Sequence, residues 1–142
     1  MNRKQYQEYV EHFNNKRYDA VTSYFTPDIT VEYFTNMSNP DEPPRTLYGP
    51  KEFIESYKTL HEHVREVLEI GDFLVINDRL FVELYTEFHC FKDYPTTSVQ
   101  PFKKGEVKVM TNWVLYNLTP DDRMSRIRIA HFRMHDPKTA KF

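Results

Sequence analysis

Cysteine and glycine are scarce in this chain of 142 residues. The single cysteine, Cys90, excludes an internal disulfide and any CxxC zinc or redox motif. Three glycines are too few for the loops that cradle nucleotide phosphates, and no GxGxxG or Walker-type motif is present. These absences argue against thiol chemistry, and we expect no cofactor.

Excess positive charge and long apolar runs are also missing. The chain has 19 Lys and Arg against 21 Asp and Glu, a net charge of −2, with no basic block. Because affinity for nucleic acid depends on neutralising phosphates, we expect no nucleic-acid partner. No apolar run approaches the roughly 18–20 residues that cross a bilayer. The polar N-terminus lacks the apolar core of a signal peptide, so we expect a cytoplasmic protein without a membrane partner.

Aromatic residues are abundant, with 11 Phe, 10 Tyr and 1 Trp. Tyrosine combines a large apolar ring with a hydroxyl group, so these residues can build a pocket that is both apolar and hydrogen-bonding. The length suits one domain, and we predict a single domain over residues 1–142.

Hydrophobic spacing changes once along the chain. In the first part, apolar residues recur every three or four positions, as in helices. This pattern predicts a first helix ending at Asn14-Asn15, a second over 18–25, a strand over 28–35, a proline-rich loop over 36–45 and a third helix over 51–63. From about Val64 the period is two, which predicts strands at 64–76, 79–91, 106–118 and 124–135, with a polar loop at 94–104. The order predicts an α+β fold with helices on one face of a curved sheet.

Element order and short phrases of the chain resemble a known family. They are YDAVTSYFTPDITVEYF, LYGPKEFIESY and the four closing strands, and the likeness runs from about residue 5 to residue 136. The chain resembles the SnoaL-like polyketide cyclase group of the NTF2-like, or ketosteroid-isomerase-like, superfamily. The resemblance implies a cone: a strongly bent, mainly antiparallel sheet wrapped around three helices of the N-terminal half, with a pocket at the open end. It also implies a homodimer formed through the outer face of the sheet.

The superfamily contains isomerases, cyclases, dehydratases and epoxide hydrolases as well as non-catalytic domains, so the fold does not settle the function. Its enzymes often carry an aspartate in the last or a central strand. This chain has none inside its last predicted strand, where His131 follows Ile127 and Ile129 on one face. A histidine at the end of an apolar face can transfer a proton near neutral pH, and we predict that His131 is catalytic.

Several further residues are predicted to surround His131. Tyr57 and His61 lie four apart on one face of the third helix, beside Phe53. Tyr33 shares a strand face with Ile29 and Val31. A tyrosine hydroxyl in such a place can donate to a carbonyl oxygen whose negative charge grows in the transition state. We predict Tyr57 as catalytic, and Tyr33, Phe53 and His61 as substrate-binding.

The strand at 106–118 is ambiguous because both of its faces contain apolar residues. One register makes Trp113 a pocket wall, and the other places Asn112 and Tyr116 inside. The spacing slightly favours Trp113 inside, and it is predicted to bind substrate. Asp28 either ends the second helix or acts as a carboxylate that orients a histidine, and it is included among the catalytic residues.

Strand 79–91 has one apolar face that ends in Phe88, which we predict to be concave and substrate-binding. Its other face carries Glu83, Tyr85, Glu87 and His89, and is predicted to be convex. A metal site there is disfavoured because these residues are too far apart in an extended strand, at about 3.3 Å per residue, to share one ion.

We therefore expect an isomerase, cyclase or dehydratase that acts by acid/base chemistry on an apolar polyketide- or terpenoid-like intermediate of secondary metabolism. The alternative is a non-catalytic NTF2-like domain that binds a small molecule or a protein. A cavity of several hundred Å³ with convergent polar groups would favour the enzyme. An epoxide hydrolase is disfavoured because no Arg and Asp pair falls on a common inner face.

Overall fold

A computed structural model describes residues 1–35, 39–95 and 101–142 of the protein. Helix α1 (Arg3–Asn14) begins at a capping box, in which Asn2 and Gln5 each accept a hydrogen bond from the backbone of the other. It buries four apolar residues spaced by three and four: Tyr6, Tyr9, Val10 and Phe13. Its end at Asn14 confirms the predicted break.

The second helix is shorter than predicted. Helix α2 covers Tyr18–Thr22, and strand β1 (Phe25–Thr35) begins three residues earlier than the sequence suggests. The reason is tertiary, because Phe25 pairs with Met124 of the last strand and so enters the sheet. Asp28 therefore lies within the strand rather than at a helix end.

Strand β2 (Arg45–Tyr48) was not predicted, because four residues after a proline-rich segment show little alternation. Gly49 then adopts a φ of 77°, which favours glycine, and starts helix α3 (Gly49–His61), two residues earlier than predicted at each end. The four remaining strands match the prediction within one residue: β3 (Val64–Ile76), β4 (Arg79–Cys90), β5 (Val107–Leu118) and β6 (Met124–His135). Residues 36–38 and 96–100 of the two predicted loops lie outside the described residues.

The six strands form one sheet in the order β2-β1-β6-β5-β4-β3. All neighbours are antiparallel except β1 and β6, which run parallel. The register shifts between Ile70 and Phe73 of β3 and between Thr111 and Asn112 of β5, and such irregularities bend a sheet. The curved sheet and the three helices confirm the predicted α+β fold with helices on one face of the sheet.

The concave face of the sheet carries the core. Along β4 the inward residues Leu80, Val82 and Thr86 are fully buried, which confirms the predicted concave face. Helix α1 contributes Tyr6, whose hydroxyl lies 2.5 Å from that of Tyr116 on β5. None of the described helices is long and apolar enough to cross a membrane.

The convex face is partly covered by the end of the chain. A 3₁₀ turn (Pro137–Thr139) leads into residues that lie over β4, where Glu87 is completely buried. Its carboxylate accepts hydrogen bonds from the backbone N–H groups of Lys141 (2.6 Å) and Phe142 (3.1 Å), and lies 2.7 Å from both Tyr85 Oη and His89 Nε2. Burial by itself raises the pKa of Glu87, but these donors outweigh it and lower the pKa to about 2.

Replacing Glu87 by Gln should destabilise the fold by about 1–3 kcal/mol at pH 7, because a buried acceptor of four hydrogen bonds loses its charge. An unfolded glutamate has a pKa of about 4.3, so this contribution is complete above that pH and declines as the pH falls towards 2. Urea unfolding at a series of pH values measures the difference.

Glu69→Gln is the matched control, because Glu69 is 43% exposed and pairs with the side chain of Lys141 on the same convex face. We expect it to cost at most about 1 kcal/mol. Equal destabilisation by the two variants, at every pH, would contradict the role of the buried carboxylate.

Candidate active site

A polar row crosses the concave face from β4 to β6. Strand pairing places His131 opposite Asn112, and His131 Nδ1 lies 2.8 Å from Asn112 Oδ1. The amide nitrogen of Asn112 donates in turn to Thr86 Oγ1 at 3.1 Å. Since the Asn112 oxygen can only accept, His131 carries its proton on Nδ1 and leaves the Nε2 lone pair available. Burial lowers the pKa of His131, so the ring is neutral near pH 7 and suited to act as a base.

Two tyrosine hydroxyls lie beside this histidine. The Tyr33 ring stacks on His131 with centroids 6.4 Å apart, and its hydroxyl is 2.6 Å from that of Tyr57 on α3. Burial raises the pKa of both phenols, so both stay protonated. In such a pair one tyrosine O–H donates to the oxygen of the other tyrosine. The O–H of the accepting tyrosine can then donate to a third group.

A second histidine lies on the other side of Tyr57. The ring of His61 is 5.7 Å from the Tyr57 ring, and its side chain is only 3% exposed. His61 Nε2 lies 2.9 Å from Glu66 Oε2, and Nδ1 lies 2.7 Å from the Tyr18 hydroxyl. The Glu66 carboxylate accepts from Nε2–H, and Nδ1 shares a second hydrogen bond with the Tyr18 hydroxyl. Both ring nitrogens are therefore occupied, and Glu66 orients the ring.

The structure brings together three of the residues predicted for the site, namely Tyr33, Tyr57 and His131. Phe88 lies on the same concave face, opposite Glu66, and is half-buried. Phe53 is 3% exposed and packs behind Tyr57, with ring centroids 4.5 Å apart. It belongs to the core that supports Tyr57, and its contact with substrate stays a prediction.

Trp113 lies on the convex face, and its prediction as a pocket wall is wrong. It is 38% exposed, stacks on Phe132 with centroids 3.7 Å apart, and donates from Nε1 to Glu83 at 2.9 Å. Pairing with β4 decides the register: Asn112 is opposite the inward-facing Leu84, whereas Trp113 is opposite Glu83. The alternative register, with Asn112 and Tyr116 inside, is the one observed.

Asp28 does not orient a histidine, so that prediction is wrong as well. It is exposed on β1. The partner of His131 is Asn112, and the partner of His61 is Glu66. Sequence reasoning missed Glu66 and Thr86, although each interrupts an apolar row: Glu66 alternates with Val64 and Leu68. A lone polar residue on an otherwise apolar strand face was the available signal.

Two surface clefts lie away from this cluster. One of about 240 Å³ lies between the N-terminal residues and the β5–β6 turn, and one of about 250 Å³ lies between α1 and β3. Neither cleft is lined by His131, Tyr33 or Tyr57, so these two volumes do not bear on the candidate site, which rests on its convergent polar groups. Within the described residues, no three His, Cys, Asp or Glu side chains are placed to hold a metal ion.

A curved six-stranded sheet packed against three helices is the NTF2-like fold, as similar solved structures show. The family model of the SnoaL-like domain matches residues 6–138, so the chain belongs to that family, as the resemblance implied. A search of curated proteins finds no match.

Solved structures agree on the fold. An NTF2-like protein of unknown function from Burkholderia pseudomallei is 14% identical, with a TM-score of 0.69 and coverage of 91% of this chain and 88% of that chain. A Xanthomonas campestris protein named as a polyketide cyclase is 19% identical, with a TM-score of 0.64 and coverage of 89% and 86%. TerC, co-crystallised with polyporic acid, is 14% identical, with a TM-score of 0.64 and coverage of 87% and 85%.

The protonation of His131 can be tested by an NMR titration of the imidazole nitrogens, with His131→Gln used to assign the signals. We expect the Nδ1–H tautomer and a pKa below the ordinary value of about 6.5, because the ring is buried. Asn112→Asp should raise this pKa, since a carboxylate would then face Nδ1 and favour the charged ring. A wild-type pKa above the ordinary value would contradict the described environment.

Proposed function

We propose that the protein is an isomerase or cyclase that acts by acid/base chemistry on an apolar polyketide- or terpenoid-like intermediate of secondary metabolism. The observation that carries this proposal is the pairing of a neutral, oriented His131 with the Tyr33–Tyr57 hydroxyl pair beside it. Family membership supports it, and the proposed activity requires no cofactor.

In the proposed reaction, His131 Nε2 removes a proton from a carbon next to a substrate carbonyl. The electron pair of that C–H bond forms a C=C bond while the π pair of the carbonyl moves to its oxygen, and the free O–H of the tyrosine pair donates to the resulting enolate. Asn112 holds the ring in place and accepts from Nδ1–H of the imidazolium that forms.

The enolate then has three outcomes. His131 can return the proton to another carbon, which gives an isomer. The enolate carbon can attack a second carbonyl, which forms a ring and an alkoxide that takes the proton from His131. Alternatively, a hydroxyl on the β-carbon can leave with that proton as water, which is dehydration. All three use the same groups, so the substrate decides among them.

The shared first step can be tested without the natural substrate. We expect the protein to accelerate exchange of the α-protons of 2-tetralone, an apolar bicyclic ketone, for deuterium in D₂O, followed by NMR. His131→Ala should lower this rate by roughly 10²–10⁴-fold, the usual contribution of a general base. Tyr57→Phe should lower it less, since Tyr33 retains a donor.

His63→Gln is the matched control, because His63 lies outside the cluster and contacts the backbone carbonyl of Asp93. Its rate should equal that of the wild type. Full activity of His131→Ala would show that another group is the base. A wild-type rate equal to that of buffer would favour the non-catalytic binding domain.

We also propose a homodimer formed through the convex face. The outer aromatic patch (Phe81, Trp113 and Phe132) supports it, since Trp113 and Phe132 are 38% and 42% exposed although they stack on each other. A two-fold contact would place the patch of one copy against the same patch of the other and remove both from water.

Sedimentation velocity should therefore find a dimer for the wild type and a monomer for Trp113→Glu, because a carboxylate buried without a partner opposes association. Ile76→Glu places the same charge on another exposed apolar residue, at the end of β3, and should remain dimeric. A wild type that stays monomeric at about 100 μM would refute the proposed interface.

A further inference from the structure

Arg45 stands at the edge of the sheet beside the candidate active site. It lies on β2 directly opposite Tyr33 of β1, so the two side chains share the concave face. The guanidinium lies over the Tyr33 ring, 5.0 Å from its centroid, and its NH2 group donates to Ser56 Oγ at 2.8 Å. One contact of Arg45 is with Tyr33 itself, and the other is with Ser56, which directly precedes Tyr57 on α3. Arg45 is therefore fixed beside the Tyr33–Tyr57 hydroxyl pair.

The two groups that contact the Arg45 guanidinium, the Tyr33 ring and Ser56 Oγ, are both neutral. Across residues 1–35, 39–95 and 101–142, no carboxylate lies within ion-pair distance of Arg45, whereas Arg126 on the convex face is paired with Glu32 at 2.6 Å. A guanidinium has five N–H donors, and Ser56 uses one of them. The residue is exposed, so the remaining donors are accessible from solvent.

Strand β1 lies between β2 and β6, with Arg45 opposite Tyr33 and with His131 opposite Thr35, the next concave residue along β1. The Tyr33 ring centroid lies 5.0 Å from the guanidinium and 6.4 Å from the His131 ring centroid, so the two groups are at most about 11 Å apart. A fused skeleton of two or three rings spans such a distance.

We propose that Arg45 is an anion-binding residue of this site, and that the substrate is a polycyclic compound with a carboxylate or ionised enol at the end remote from the reacting carbon. This inference rests on the proposed function and adds the chemical class of its substrate. Binding energy gained at the remote group fixes the reacting carbon against His131 Nε2. Planar, two-oxygen anions suit the forked donors of arginine.

The test compares acids with neutral compounds of the same shape. Calorimetry measures binding of benzoate, 2-naphthoate and 2-anthracenecarboxylate and of the corresponding amides. We expect the wild type to prefer the two- and three-ring acids over their amides by roughly five- to tenfold, as for a charge-assisted hydrogen bond near a surface. Arg45→Gln should bind acid and amide equally, and Arg45→Lys should keep part of the preference.

Arg79→Gln is the matched control, since it removes the same charge from the β3–β4 turn, where Arg79 pairs with Asp78. It should keep the full preference for acids. A preference that persists in Arg45→Gln would place the anion elsewhere and overturn the inference, and so would equal binding of acids and amides by the wild type. In the latter case the proposed function itself would stand, whereas failure of all six compounds to bind would overturn the proposed function as well.

Discussion

The parallel pairing of β1 with β6 is the contact on which the candidate site depends. It joins segments about 100 residues apart in the chain, and runs from Phe25 opposite Met124 to Thr35 opposite His131. Without it the sheet would have a free edge at β6, and Tyr33 would not stack on His131. Because a pairing of such long range carries a high loop-closure cost, the buried contacts of the core must offset that cost before the site can form.

The polar groups of the candidate site are largely hydrogen-bonded to one another. Hydroxyls, imidazoles and one carboxylate are joined in short hydrogen-bonded chains, since each would otherwise lose its hydrogen bonds to water on burial. The two histidines of the site differ in their hydrogen-bond partners. His131 has an amide partner and an available nitrogen, whereas His61 is held at both nitrogens. The first arrangement suits proton transfer, and the second suits support of the neighbouring tyrosine.

The long elements follow from local pattern, and the short ones do not. The observed ends of β3 to β6 lie within one residue of those predicted from hydrophobic alternation. This pattern is reliable because successive side chains of a strand point to opposite faces whatever surrounds them. Strand β2 has too few residues to show a period. Helix α2 ends early because Phe25 pairs with Met124 and so belongs to the sheet. In both places a contact from a distant part of the chain outweighs the local preference.

At the site, the sequence alone determined that a histidine and two tyrosines lie on inward faces of their elements. Only the tertiary structure decided the partners. Both faces of β5 are apolar, so pairing with β4 was needed to turn Asn112 inward and Trp113 outward. Spacing likewise could not choose Glu66 over Asp28 as a histidine partner. The physical reason is that periodicity is a property of a single segment, whereas a hydrogen bond requires two segments to meet.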